Sequence, residues 1–124
     1  MTKPLALIIE DDLEIAKILS LSLKNQFEVE ILADGHAAIA RLAQVVPALI
    51  MLDLHLPEVS GMDVFAHIRS DARFNGTKII LCTADALRAE ELRSQADLVL
   101  LKPVSPGQLR ELASRMIKTT DDRQ

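Results

Sequence analysis

A chain of 124 residues predicts one domain, long enough to bury roughly two thirds of the surface its unfolded form exposes. Apolar residues make up 49% of it but aromatics only 2%, with three Phe and no Tyr or Trp, so the core has to be built from Leu, Ile, Val and Ala. The 14 basic and 18 acidic side chains leave a formal charge of -4 without a basic block, which argues against a nucleic-acid surface.

The N-terminal run MTKPLALII is interrupted at Glu10, Asp11 and Asp12, too early for a secretory or membrane segment, and the expectation is a cytoplasmic protein with no membrane partner. Leu5 to Ile9 reads as a buried strand that ends in those three acids. A helix follows with Ile15, Ile18, Leu19 and Leu23 as its apolar stripe. Asp12 is placed to cap that helix or sit in its first turn. Phe27 to Leu32 alternates like an edge strand, and Asp34-Gly35 is a turn signal. His36 to Val46 predicts a short helix with Ile39, Leu42, Ala43 and Val46 inward.

Ala48 to Asp53, ALIMLD, is a near-continuous apolar run ending in a carboxylate. Such a run suits a strand covered on both faces, as in a parallel sheet. A carboxylate at its end is costly to bury without a partner. The next helix runs from about Gly61 to Arg69, with Met62, Phe65 and Ile68 inward, and Asn75-Gly76 marks a turn. Lys78 to Thr83 is a fourth strand. It holds the single cysteine, Cys82, which excludes an internal disulfide and reads as a core thiol in a reducing compartment. Ala86 to Gln95 is a weakly amphipathic helix, and Leu98 to Leu101 a fifth strand ending at Lys102-Pro103. The last helix has Ser105 as N-cap, Pro106 at its first position and Gln108 in a capping box. Its stripe is Leu109, Leu112, Ala113, Met116 and Ile117. The folded unit is expected over residues 1–118, with 119–124 a polar tail or the start of a linker.

Strict alternation of five strands and five helices describes a doubly wound α/β sheet, and order 2-1-3-4-5 is the favoured topology. That order brings Glu10 and Asp11 against Asp53 and delivers Thr83 and Lys102 to the same rim.

The ordered set IIEDD at 8–12, LDLHLPEVSG at 52–61, Thr83-Ala84 and Lys102-Pro103 resembles the receiver domains of two-component response regulators over essentially the whole chain. The resemblance implies a flavodoxin-like (βα)5 sandwich in which Asp53 accepts a phosphoryl group from a histidine kinase or histidine phosphotransfer protein. It implies a metal site, Mg2+ with Mn2+ as a substitute, formed by Glu10, Asp11, Asp53 and the backbone carbonyl of His55. Thr83 and Lys102 are implied as the hydroxyl and ammonium that meet the phosphoryl oxygens, and Lys102-Pro103 as a cis bond. The chemistry agrees, since clustered carboxylates suit a hard divalent cation and a lysine offsets charge on a transferring group.

Two positions depart from the family pattern. Val99 stands where a Tyr or Phe is usual and Val104 where Phe is common, so the acceptor set is intact but the part that reports occupancy is reduced. Output through the fourth helix, fifth strand and fifth helix (Leu87, Arg88, Glu91, Val99, Arg110, Glu111) is expected as a weak homodimer or a contact with an output domain. Other classes stay open. A mononucleotide binder would want phosphate-cradling Gly, Ser or Thr after the first strand. A docking module with dead chemistry would more readily have lost Asp53 or Lys102. An aspartate phosphohydrolase would need room above the site.

Overall fold

A computed structural model of the chain describes residues 3–121, with side chains to residue 117. The elements alternate: β1 (Leu5–Ile9), α1 (Leu13–Leu23), β2 (Glu28–Leu32), α2 (Gly35–Leu42), β3 (Leu49–Asp53), α3 (Gly61–Arg69), β4 (Lys78–Thr83), α4 (Ala86–Leu92), β5 (Leu98–Leu101) and α5 (Pro106–Asp121). A short 3-10 turn, Ala72–Phe74, precedes β4. The five strands are parallel in the order β2-β1-β3-β4-β5, the expected doubly wound arrangement. Of the expected polar stretch, residues 119–121 continue the backbone of α5, and 122–124 lie outside the described residues.

Alternation along the strands splits the core into two layers. Ala6, Ile8, Leu49, Met51, Ile80, Cys82 and Leu100 face Ala16, Leu19 and Leu23 of α1 and Leu109 and Ala113 of α5. Leu7, Ile9, Ile50, Leu52, Ile79 and Leu81 face α2, α3 and Leu92 of α4. All five residues of β3 are buried, as expected of the central strand.

Each helix that follows a strand starts on a polar cap. Asp12 Oδ1 accepts from the N–H groups of Glu14 and Ile15, Asp34 from Ala37, Ser60 from Asp63, Asp85 from Leu87 and Arg88, and Ser105 from Gln108. These side chains satisfy donors that have no partner inside the helix. The carboxyl ends of the paired strands lie along one edge of the sheet and form a rim.

Four local expectations are corrected. In α1 the buried seam is Ala16, Leu19 and Leu23, while Ile15 and Ile18 are 42% and 53% exposed. The helix is apolar nearly all round, so its pattern alone could not choose the seam, and close packing against the sheet and α5 selected the one containing Ala16. In α2 the inward residues are Gly35, Ala38 and Leu42; the helix ends at Leu42, which leaves Ala43 and Val46 exposed. Helix α4 stops at Leu92 rather than Gln95. Met62 is half-buried, and Val64 takes the core position on α3 beside Phe65 and Ile68.

Candidate functional site

The C-terminal ends of β1, β3, β4 and β5 bring Glu10, Asp53, Thr83 and Lys102 to one rim. Glu10 follows β1 directly and its N–H donates to the Leu32 carbonyl at 3.1 Å, which extends the β1–β2 ladder by one residue. Asp53 closes β3, opposite Cys82 of β4. Lys102 follows β5, and its N–H donates to the Thr83 carbonyl at 2.9 Å. The Lys102–Pro103 bond is cis, as the resemblance implied.

Asp53 is 3% exposed and both its oxygens are held. Oδ2 lies 2.8 Å from Lys102 Nζ, and Oδ1 accepts from the N–H of His55 at 2.9 Å. Lys102 Nζ also lies 3.4 Å from Glu10 Oε1, while Glu10 Oε2 accepts from the Asp12 N–H at 3.2 Å. Carboxylate oxygens of Glu10, Asp11 and Asp53 all lie within 4.8 Å of one another. Among the described residues no buried side-chain oxygen or nitrogen lacks a partner.

Burial pushes the Glu10 carboxyl up to about 7; the Asp12 N–H opposes this, and the neighbouring Asp53 and Asp11 reinforce it. Burial alone would lower the Lys102 ammonium, but Asp53 and Glu10 outweigh it and hold the group above the ordinary lysine value. The rim is therefore a lysine permanently charged at neutral pH, set among more negative charge than it can balance.

The loop from β3 to α3 is pressed onto the strand end. A Cβ added at Gly61 would overlap the Asp53 carbonyl oxygen and the Leu54 backbone. Only glycine lets α3 begin this close to Asp53. His55 lies beside the acid with its side chain exposed, so its backbone, not its imidazole, belongs to the rim.

Sequence reasoning named Glu10, Asp11, Asp53, His55, Thr83 and Lys102, and the fold brings each of them to these strand ends. Asp85 was missed. Its N–H donates to Thr83 Oγ1 at 3.1 Å, and its carboxylate caps α4, so it positions the Thr83 hydroxyl. The spacing Thr-x-Asp before a helix was the signal. Arg88 was placed on an output face; it also lines a second cavity beside the rim with His55, Thr83 and Asp85.

A doubly wound parallel sheet with its polar residues gathered at the carboxyl ends of its central strands defines the flavodoxin-like class of α/β proteins. Within that class the match is narrower. The response regulator receiver domain model matches residues 6–114, and the chain belongs to that family. It is 30% identical over 120 residues to the DNA-binding response regulator MtrA of Mycolicibacterium paratuberculosis, covering 94% of this chain and 52% of that protein. It is 31% identical over 110 residues to hybrid signal transduction histidine kinase D of Dictyostelium discoideum, covering 86% of this chain and 7% of the kinase. Among solved structures it resembles the chemotaxis response regulator CheY4 of Vibrio cholerae, with a TM-score of 0.83, 25% identity, and 93% and 99% of the two chains covered. The chain thus spans about half the length of the DNA-binding relative it matches. Among the described residues no helix is long and apolar enough to cross a membrane.

Proposed function

We propose that this chain is a phosphoacceptor in two-component signalling, taking a phosphoryl group onto Asp53 from a histidine kinase or histidine phosphotransfer protein in the cytoplasm. One observation carries the reading: a buried carboxylate with one oxygen on a lysine and the other on a backbone N–H, inside a cluster of acids. An ion pair this deep needs a purpose, because burying it yields little net stability. Perturbed groups gathered at one rim point to chemistry.

In the step, an Asp53 oxygen attacks the phosphorus of a phosphohistidine. The new O–P bond forms as the N–P bond breaks, and the donor imidazole leaves with the electron pair and takes up a proton. Asp53 is the nucleophile. Lys102 offsets charge on the transferring oxygens and the Thr83 hydroxyl donates to them. Later attack of water on the same phosphorus regenerates the carboxylate, which makes the domain a slow self-phosphatase.

The acid cluster fits a hard divalent cation, since it offers oxygen donors of high charge and little else. Glu10, Asp11, Asp53 and the carbonyl of His55 would hold Mg2+, or Mn2+ in its place. Such a cation would supply positive charge that offsets the repulsion between Asp53 and an anionic donor.

The expected result with phosphoramidate and Mg2+ is one added phosphoryl group by intact mass, released by hydroxylamine. Asp53→Asn abolishes it. Labelling of the Asn variant at the parent level would reject Asp53 as acceptor. The length of the relatives supports a further reading, that this receiver works as part of a longer transcriptional regulator or hybrid kinase.

A further inference from the structure

Beside the acceptor rim, a cavity of about 380 Å³ opens between the β3–α3 loop and the start of α4, with the buried Thr83 at its inner end. His55, Ser60 and Met62 line it on one side, Asp85 and Arg88 on the other. The volume falls within the range of about 300–1,000 Å³ that binding pockets occupy.

Arg88 is set apart by its lack of a partner. Arg41, Arg69, Arg73 and Arg93 each face a carboxylate, of Glu30, Asp97, Asp71 and Glu90 in turn. Among the described residues the Arg88 guanidinium has neither an ion pair nor a hydrogen bond. The acid that shares the cavity with it, Asp85, is spent on the helix, where Oδ1 accepts from the N–H groups of Leu87 and Arg88. Nor does α4 reward a cation in its first turn, where an acid is the stabilising residue.

Two hydrogen bonds fix the Arg88 backbone relative to the rim. Thr83 Oγ1 accepts from the Asp85 N–H at 3.1 Å, and Asp85 Oδ1 accepts from the Arg88 N–H at 3.1 Å. Across the cavity stands His55, whose N–H donates to Asp53 Oδ1 at 2.9 Å. The cavity therefore lies against both Thr83 and the backbone that holds Asp53, and its one unclaimed charge is a guanidinium.

The rim has a single cation of its own, Lys102, already divided between Asp53 and Glu10. A phosphoryl group adds negative charge and strong acceptor oxygens. A guanidinium meets such oxygens with parallel N–H donors, where an ammonium acts as a point charge. We infer that Arg88 is a second cation for the phosphoryl group: once Asp53 carries it, the guanidinium turns into this cavity and donates to phosphoryl oxygens beside Thr83. The inference rests on the phosphoacceptor reading above. It adds to the strand-end residues a ligand carried by α4, one that engages only the phosphorylated form.

The test uses the full chain with Mg2+ and beryllofluoride, a phosphoryl mimic, followed by calorimetry because the chain has no Trp or Tyr to report binding. Arg88→Ala is expected to bind the mimic at least about tenfold more weakly than the parent, with Arg88→Lys between the two. A direct contact keeps that ratio in about 0.5 M NaCl, where attraction at a distance is screened out. Arg93→Ala, which removes a paired arginine from the other end of α4, is the control and should bind as the parent does. In the parent, the Arg88 side-chain Nε–H resonance, identified by its loss in Arg88→Lys, should shift when the mimic or phosphoramidate is added. Should Arg88→Ala fail to fold, Arg88→Lys and this resonance carry the test. Parent-level affinity in the Arg88 variants overturns the inference, as does an equal loss in Arg93→Ala or a ratio that vanishes at high salt. An Arg88 resonance that stays still in a parent chain labelled by phosphoramidate overturns it too. A parent that neither binds the mimic nor takes a phosphoryl group is a separate result, and rejects the phosphoacceptor reading together with the inference built on it.

Discussion

At the scale of single residues, the site is a balance between three acids and one lysine. Glu10 titrates near 7 in the fold against 4.5 when free. Between those values the folded protein keeps a proton the unfolded chain has lost, so the sign is fixed: stability from this group is full below pH 4.5 and is lost as pH rises through 7. In chelator, urea melts of the parent should show a loss on the order of 1–3 kcal/mol between pH 4.5 and 8 that Glu10→Gln lacks. Equal slopes for parent and variant would place the titration elsewhere. Gly61 is the other decisive residue. Because a Cβ there meets backbone on two sides, Gly61→Ala should cost about 1–3 kcal/mol or more in a denaturant melt, and Gly76→Ala, which meets nothing, far less.

At the scale of elements, neighbouring acids divide their work by which element they serve. Asp12 caps α1 through two N–H groups, whereas Asp11 stands in the acid cluster. Asp12→Ala should therefore lower stability by about 1 kcal/mol and leave Mg2+ affinity nearly unchanged. Asp11→Ala should do the reverse, read by Mg2+ titration of the two variants beside their melts. Helix α4 is tied to the rim in a similar way. Asp85 caps it while its N–H holds the Thr83 hydroxyl, so this capping turn ties the start of α4 to the rim. Val99, half-buried beneath α4, packs into the core layer on that side of the sheet. Leu87, at the start of α4, is 79% exposed.

Over the whole molecule, folding is what assembles the acid cluster, because Glu10, Asp11 and Asp53 converge only when β1 and β3 pair. A cation that binds only the folded chain adds about 1.4 kcal/mol at ten times its Kd. Mg2+ should accordingly raise the Tm of the parent and not of Asp11→Ala. Association through α4, β5 and α5 is expected to be weak, since mixed rim charges give register more than affinity. With Val99 in place of an aromatic, sedimentation with and without a beryllofluoride phosphoryl mimic should show only a modest change. A strong monomer-to-dimer switch would show that valine suffices to broadcast the state of the site.

Four of the strands were legible because each is a short apolar run closed by a charged or turn residue, and β2 because it alternates. β1, β3 through Asp53, β4 and β5 lie where those patterns placed them. The placement of the rim residues was legible for the same reason: a carboxylate, a threonine or a lysine at the end of a buried run breaks an apolar pattern and so stands out. The buried seam of α1 was not, because a helix apolar on most of its circumference gives periodicity nothing to choose between; contact with α5 and the sheet decided it. Nor was the role of Asp85, whose bond to Thr83 depends on how the turn folds back. The pairing of Lys102 with both Asp53 and Glu10, and the rise of Glu10 toward neutrality, belong to the tertiary structure alone. They arise from distances between residues on three strands and from the loss of water around them, neither of which any local stretch of chain contains.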